Sequence, residues 1–141
     1  MKNNKITHTK TGICIDNFKA YGTRGKKYGV ALIVNDKPCE TAAVFTKNTA
    51  KAAPVLIDIE KLNKDSKFQT IIANSGNANC CTRTGISDAK EMCEIAAKKL
   101  NLNPDKILVS STGIIGKKLD VSEIKRLTNS IEINDENSSS L

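Results

Sequence analysis

The chain has 141 residues, a length that fits one domain, and 39% of them are hydrophobic but only 4% aromatic, so its core must be built from aliphatic side chains. The net charge is +7, yet the lysines are spread along the whole chain, and two Tyr and three Phe are too few for a base-stacking platform. Composition therefore argues against a nucleic-acid-binding domain and favours a solvated basic surface with a modest attraction for anionic small molecules.

The first part of the chain predicts a loose end followed by β-structure. Residues 1–11 are polar, and we expect them to be loose. Apolar and polar residues alternate over Gly12–Lys19, which predicts a strand. The Gly- and Lys-rich stretch Tyr21–Lys27 predicts a loop. The segment Tyr28–Asn35 is apolar on both faces, which is typical of a central strand.

Further strands are predicted before residue 75. Asn35–Pro38 carries a turn signal, and the segment Thr41–Thr46 is expected to pair with the preceding strand as a hairpin. A short strand is expected at Val55–Ile57, with Asp58 capping a short helix after it. Thr70–Ala73 predicts a second central strand in the same sheet.

Helical periodicity dominates the second half of the chain. Apolar residues recur at three- and four-residue steps over 88–100, which predicts an amphipathic helix capped by Ser87 or Asp88 and covering one side of the sheet. A second cap signal predicts a short helix over about 120–128. Residues 134–141 are polar and Ser-rich, and we expect them to be loose.

The stretch Lys106–Gly116, KILVSSTGIIG, combines an apolar run with small polar residues. Ile107–Val109 predicts a buried strand, and the polar residues after it predict a break. Gly113 permits a positive φ and close approach of a ligand. The Thr112 hydroxyl and the Gly113 N–H would then be adjacent donors, which is the chemistry that stabilises an oxyanion. A plain strand-to-loop turn explains the same spacing.

The cysteines and the one histidine do not have metal-ligand spacing. No C-x-x-C pair occurs, and His8 is far in sequence from every cysteine except Cys14, so no metal site is predicted. Buried, reduced thiols indicate a cytoplasmic protein. No apolar run is long enough to span a membrane, so no membrane association is expected. The five cysteines are Cys14, Cys39, Cys80, Cys81 and Cys93.

Three stretches together carry a specific resemblance: KAAPV at Lys51–Val55, NSGNAN at Asn74–Asn79 and STGIIG at Ser111–Gly116. ALIV at Ala31–Val34 and VFTKN at Val44–Asn48 lie between or before them in the matching order. Over nearly its whole length the chain resembles the N-terminal part of the ornithine acetyltransferase family, also called bifunctional glutamate N-acetyltransferase/amino-acid acetyltransferase.

The resemblance implies an enzyme of arginine biosynthesis that moves an acetyl group from N-acetylornithine to glutamate, with acetyl-CoA as a further donor in some members. It implies an α/β sandwich similar to the N-terminal-nucleophile type, with a mixed sheet and covering helices. The family's precursor cuts itself before a threonine that then carries the acetyl group. Thr112 and Gly113 match the family's oxyanion hole, and no cofactor is implied.

The chain also departs from the family. The self-cleavage stretch, a K-G-x-G-M-I run leading into M-A-T-M, does not occur in the 141 residues. We therefore expect 1–141 to be a single truncated domain that supplies the oxyanion hole, lacks the nucleophile, is inactive alone and needs the remaining part of the enzyme in a hetero-oligomer. Thr112 has no free amine to act as a base, so it is not expected to be the nucleophile. The loop Cys81–Gly85 is one residue shorter than the family's, which implies a local change at the next helix.

The NSGNAN stretch has two interpretations. It could shape an acetyl pocket beside Thr112, or it could be a turn whose Asn side chains bond to the backbone. We favour the second, with Asn74 and Asn77 supporting the site from behind. Two other functions remain open: a catalytically inactive binding module of the same fold and, on charge alone, a nucleic-acid-binding domain, which would show salt-dependent binding.

Overall fold

The computed structural model describes residues 17–133, which form one four-stranded sheet with helices packed on one face. The segments expected to be loose, 1–11 and 134–141, lie outside the described residues. No helix within 17–133 has the length and apolar character needed to cross a membrane. In chain order the elements are β1 (Phe18–Arg24), β2 (Gly29–Glu40), α1 (Ala53–Lys64), β3 (Lys67–Asn77), α2 (Gly85–Leu100), a 3-10 turn (Pro104–Lys106), β4 (Ile107–Ile114) and α3 (Val121–Ser130).

The strand order is β1-β2-β3-β4, so the two strands predicted to be central are central. β1 and β2 pair antiparallel, as do β2 and β3, whereas β3 and β4 pair parallel. A parallel pair needs a crossover, and α2 provides it. The sheet is therefore mixed, as the resemblance implied.

The core lies between the sheet and the three helices. Side chains alternate along each strand, so every second residue faces the helices. On α2 these strand residues meet small side chains, which let the helix approach the sheet closely. Each fully buried aliphatic side chain contributes about 1.5–3 kcal/mol to stability. The buried residues include Tyr21, Val30, Leu32, Ile72, Ile107 and Val109 of the strands, Ala89, Met92 and Ala96 of α2, and Ile124 and Leu127 of α3.

The start of the described chain differs from the prediction. β1 begins at Phe18, and part of the predicted strand, 12–16, lies outside the described residues. The predicted loop Tyr21–Lys27 is wrong over its first four residues, which belong to β1. Tyr21 is only 3% exposed and pairs with Leu32, so burial of its ring outweighs the turn tendency of the neighbouring glycine.

The predicted hairpin after β2 is also wrong. The turn signal Asn35–Pro38 lies within β2, which continues to Glu40 through an irregularity between Val34 and Cys39. The segment Thr41–Thr46 has no regular structure. β2 instead forms its hairpin with β1, closed by the hydrogen bond from Gly25 N to Tyr28 O at 2.8 Å.

The region predicted as a strand and a short helix is a single helix, α1. Pro54 occupies the first turn, where its missing N–H costs nothing and its fixed φ suits a helix. One side of α1 is buried, at Ala53, Pro54 and Ile57. The apolar residues of Val55–Ile57 therefore belong to a helix that packs against the core, not to a strand. Asp58 lies inside α1 and caps nothing.

The other predicted elements, α2, β4 and α3, are present, but their ends differ from the predicted ones. β4 continues through Ile114, so the predicted break after Val109 is wrong. α2 begins at Gly85, and neither predicted cap serves: Ser87 Oγ donates to Thr84 O, and Asp88 Oδ2 accepts from Thr84 Oγ1. α3 is confirmed with its cap, since the Asp120 carboxylate accepts from Glu123 N at 3.1 Å.

The face of the sheet opposite the helices carries apolar side chains without a covering layer in the described part of the chain. Phe18, Ile33 and Ile71 lie on this open face and are 37–40% exposed. Together with Leu108 and Ala42 they line a hollow of about 220 Å³. Contiguous apolar surface of this kind tends to be covered or to drive association.

We therefore predict that the 141-residue polypeptide self-associates when it is purified alone. The double variant Ile33→Lys/Ile71→Lys should sediment more as a monomer in sedimentation velocity, because charge on the open face opposes burial of that face. Leu56→Lys is the matched control, since Leu56 is 44% exposed on α1, away from this face. Monomeric wild-type protein, or an equal response to Leu56→Lys, would contradict the prediction.

Candidate active site

The two predicted oxyanion-hole residues lie near the carboxyl end of β4. Thr112 pairs with Ser75 in β3, and Gly113 pairs with Gly76. Because side chains alternate, Thr112 projects from the open face, whereas Ser111 faces the helices. Thr112 and Gly113 are both solvent-exposed, as a group that meets a substrate must be.

Gly113 has a φ of +133°, which an L side chain rarely adopts. A Cβ at this position would lie less than 3.0 Å from Asn77 N and from the backbone of Gly76. Gly113 is therefore required both by its backbone conformation and by the close approach of β3. The positive φ expected at this position from the sequence is present.

A shallow groove on the open face leads to Thr112. It holds about 440 Å³ and runs across the ends of all four strands. Ser75 lies beside Gly29, where a Cβ would come 2.7 Å from Ser75 Oγ, so the glycine leaves room for the hydroxyl. Arg24 is the charged residue of the groove. Its lining is Gly22, Thr23, Arg24, Gly29, Val30, Ala31, Ala73, Asn74, Ser75 and Thr112.

The asparagines of NSGNAN bond to backbone behind this groove. Asn74 Nδ2 donates to Asn77 O at 2.9 Å, and Asn77 Oδ1 accepts from Asn79 N at 2.8 Å. Asn77 Nδ2 also donates to Lys117 O at 2.9 Å. All three side chains are buried, and Asn77 and Asn79 are 0% exposed. The preferred interpretation, in which the Asn side chains satisfy the backbone, is confirmed by these bonds.

This network fixes the loop that follows Gly113. Asn77 holds the backbone of residues 117 and 118, while Ala78 N donates to Ile114 O and Gly116 N donates to Cys80 O. Breaking one of these buried hydrogen bonds is costly, because a buried polar group left without a partner destabilises the fold by about 1–3 kcal/mol. The end of β4 is therefore held against β3 along its whole exposed stretch.

Asn79 was missed by the sequence interpretation. Its Nδ2 donates to Gly85 O at 2.9 Å, and its own carbonyl accepts from Ala53 N at 3.2 Å. It thus joins the first residues of α1 and α2 to the end of β3, where the loop Cys81–Gly85 enters the helix. Its φ of +46°, a conformation in which Asn is enriched, is known only from the structure, so no direct signal for this role is present in the sequence.

Helix α1 braces β4 from the helix side, and its Asp58 was misassigned as a cap. Asp58 Oδ1 accepts from Val109 N at 3.0 Å. Lys61 Nζ donates to the carbonyls of Pro104 and Ile107, at 2.8 and 2.5 Å. Burial raises the pKa of Asp58 to about 6, although the Val109 N–H and Lys61 act in the opposite direction. Two polar side chains of α1 therefore set the position of the strand that carries Thr112.

We predict that Asp58 makes stability fall as pH rises from about 4 to 6. Within that window the folded protein still holds a proton that the unfolded chain, with an ordinary carboxyl pKa of 3.8, has released. The contribution is present below the unfolded pKa and is lost above the folded one. Because Asp58 is partly exposed, we expect about 1–2 kcal/mol. Urea unfolding across this range should show the loss in wild type and not in Asp58→Asn; parallel pH profiles would contradict it.

The thiols of the described chain are free. Cys39, Cys80, Cys81 and Cys93 form no disulfide, and Cys14 lies outside the described residues. Cys93 is buried, as expected, but Cys81 is exposed, so the expectation of buried thiols is wrong at that position. Among residues 17–133 no three His, Cys, Asp or Glu side chains come together as metal ligands would.

Known proteins match both the sequence and the fold. The family described as the ArgJ family matches residues 17–139. The chain is 46% identical over 114 residues to the glutamate N-acetyltransferase of Methanocaldococcus jannaschii, covering 81% of this chain and 28% of that protein. It is 39% identical over 136 residues to that of Methanothermobacter thermautotrophicus, covering 95% and 33%. The chain thus spans about a third or less of the length of these relatives.

Two solved structures have the same fold. The arginine biosynthesis bifunctional protein ArgJ of Bacillus halodurans is 32% identical with a TM-score of 0.78, covering 87% of this chain and 68% of that one. An ornithine acetyltransferase of Mycobacterium tuberculosis, complexed with ornithine, is 27% identical with a TM-score of 0.75, covering 87% and 72%. The expected α/β fold of the N-terminal-nucleophile type is confirmed by these neighbours. Because the match to the ArgJ family covers residues 17–139, nearly the whole chain, the protein belongs to that family.

Proposed function

We propose that this chain forms the oxyanion-hole part of a glutamate N-acetyltransferase of arginine biosynthesis, with N-acetylornithine as acetyl donor and glutamate as acceptor. The observation that carries the proposal is the position of Thr112 and Gly113. They are consecutive, exposed and held against β3, and Thr112 lines the groove. Donors placed in advance where negative charge develops are the usual means of accelerating acyl transfer.

The chemistry follows from these positions. A threonine nucleophile, supplied by the part of the family's protein outside these residues, attacks the acetyl carbonyl carbon, and the C=O π electrons move to oxygen. The Thr112 hydroxyl and the Gly113 N–H donate to that oxygen. The free amine of that threonine takes the hydroxyl proton during the attack, and it passes this proton to the ornithine nitrogen as the intermediate collapses and the C–N bond breaks. Glutamate's neutral amine then attacks the acetyl-threonine ester through a second, equivalent intermediate. Its collapse breaks the C–O bond, and the proton lost by glutamate's nitrogen returns to the threonine oxygen.

The charge of the groove is complementary to that of amino-acid substrates. Both N-acetylornithine and glutamate carry a carboxylate, and Arg24 is a groove residue that offers a cation for it. We propose acetyl-CoA as a further donor, a hetero-oligomer with the remaining part of the enzyme, and a cytoplasmic location. Free thiols at the four described cysteines support the last of these.

Purified alone, the 141-residue chain should not transfer acetyl groups from N-acetylornithine to glutamate, because donors without a nucleophile stabilise an intermediate that never forms. Co-purified with the remainder of the M. jannaschii relative, it should gain activity. Release of ornithine measured by mass spectrometry distinguishes the two preparations. Transfer by the isolated chain would contradict the assignment and would require a nucleophile within it. Absence of transfer in the assembled pair would favour the inactive binding module.

A further inference from the structure

The connection between β2 and α1 has no regular structure over residues 41–48 and must span a long distance. Thr41 N donates to Ser66 O beside the start of β3, and Ala53 N donates to Asn79 O beyond its end. The twelve steps between these two residues must therefore cover about the whole length of β3, roughly 35–40 Å at about 3.3 Å per residue. A chain reaches at most about 3.3–3.6 Å per residue, so little slack is left.

This segment has the composition of a strand but no sheet partner among residues 17–133. Within the described residues, no backbone hydrogen bond is recorded for residues 42–47. Its side chains, AAVFTK, are mainly apolar, and Val44 is 99% exposed. An extended, apolar stretch with open N–H and C=O groups on both sides is a template for strand addition. The sequence predicts a strand at Thr41–Thr46 for the same reason.

We propose that residues 42–47 pair as a β-strand with a strand from the part of the family's protein that lies outside these 141 residues. The matched residues make up only 28–33% of three curated relatives, so the larger part of each relative is available as a partner. Tethering or stable assembly gives such a partner a high effective concentration, which a second copy lacks. Strand addition draws its affinity from main-chain bonds and its specificity from alternate side chains.

The open face of the sheet supports the same partner. Ala42, at the start of the segment, lines the hollow formed with Phe18, Ile33, Ile71 and Leu108. A layer laid over these side chains would reach the segment at the edge of the hollow. One added layer thus covers the apolar face and satisfies the open backbone groups, and neither is accounted for by residues 17–133.

Hydrogen exchange of the assembled protein tests the proposal. The probe is the 141-residue chain co-expressed and co-purified with the remainder of the M. jannaschii glutamate N-acetyltransferase. Amides of residues 43–47 should exchange on the order of 100-fold more slowly in the pair than in the chain alone. Equally fast exchange in the pair, failure of the two parts to co-purify, or protection that depends only on the concentration of the chain alone would overturn it.

A proline pair gives the matched variants. Val44→Pro removes an N–H from the segment and should reduce co-purification at least tenfold, since proline cannot donate to a ladder. Thr49→Pro, in the same connection but outside 42–47, should assemble as wild type does. The Val44 side chain is 99% exposed, so Val44→Pro should keep the melting temperature of the chain alone. Equal assembly of both variants, or equal loss, would count against pairing through 42–47.

Discussion

Thr112→Ala is expected to lower kcat for acetyl transfer by roughly 10²–10³ in the assembled enzyme, or about 3–4 kcal/mol of transition-state stabilisation. Thr112 directly precedes Gly113, and its side chain lies on the open face, where it lines the groove. Charge on the acetyl oxygen appears only in the tetrahedral intermediate, so KM for N-acetylornithine should change far less than kcat. Steady-state kinetics of ornithine release would measure both constants.

Two variants distinguish the hydroxyl from a general disturbance of β4. Thr112→Ser keeps the donor and should recover much of the rate. Ser110→Ala removes an exposed hydroxyl from the same face of β4, two residues earlier, and should leave kcat nearly unchanged. If Thr112→Ala keeps kcat within about twofold, a change of only ~0.4 kcal/mol, the motif is a structural turn and the oxyanion assignment is wrong.

The sequence predicted the elements whose signals are local. Tyr28–Asn35 and Thr70–Ala73 show their central position because apolar residues on both faces need cover on both sides. The periodicity of α2 and the Asp120 cap are likewise written in neighbouring residues. The positive φ at Gly113 belongs to this group, because glycine is the residue that such a backbone conformation favours.

The parts that were missed depend on contacts between distant residues. Asp58 looks like a cap, but its partner is Val109 N, fifty-one positions away. The apolar run Val55–Ile57 resembles a strand until Pro54 and the packing of Ile57 place it in α1. Thr41–Thr46 has a strand's composition but finds no partner among the described residues, so its structure cannot be decided from its own sequence.

The hydrogen bonds of the NSGNAN asparagines were predicted in kind but not in their partners. Asn74 and Asn77 were expected to bond to backbone, which amide side chains do readily after a strand. That Asn77 would reach Lys117 and Lys118 required knowing that β4 lies parallel to β3. The chemistry of these residues is therefore predictable, while their partners follow from the topology.

Gly113→Ala should lower the free energy of unfolding by about 3 kcal/mol or more, because the new Cβ adds both backbone strain and a clash with β3. The clash is with backbone atoms of Gly76 and Asn77, which the buried asparagine network prevents from moving aside. Either the β3–β4 ends separate or Gly113 changes its φ, and both displace its N–H. The assembled variant should therefore lose kcat as well as stability.

Gly116→Ala is the matched control for this effect. Gly116 also has a positive φ, +75°, but nothing lies within 4 Å of a Cβ built there. It carries the conformational cost without the clash, so we expect a loss of only about 1 kcal/mol and a kcat close to that of wild type. Urea unfolding and steady-state kinetics of both variants would separate the two terms. If the two glycines respond alike, the close approach of β3 contributes nothing, and Gly113 serves only to turn the chain.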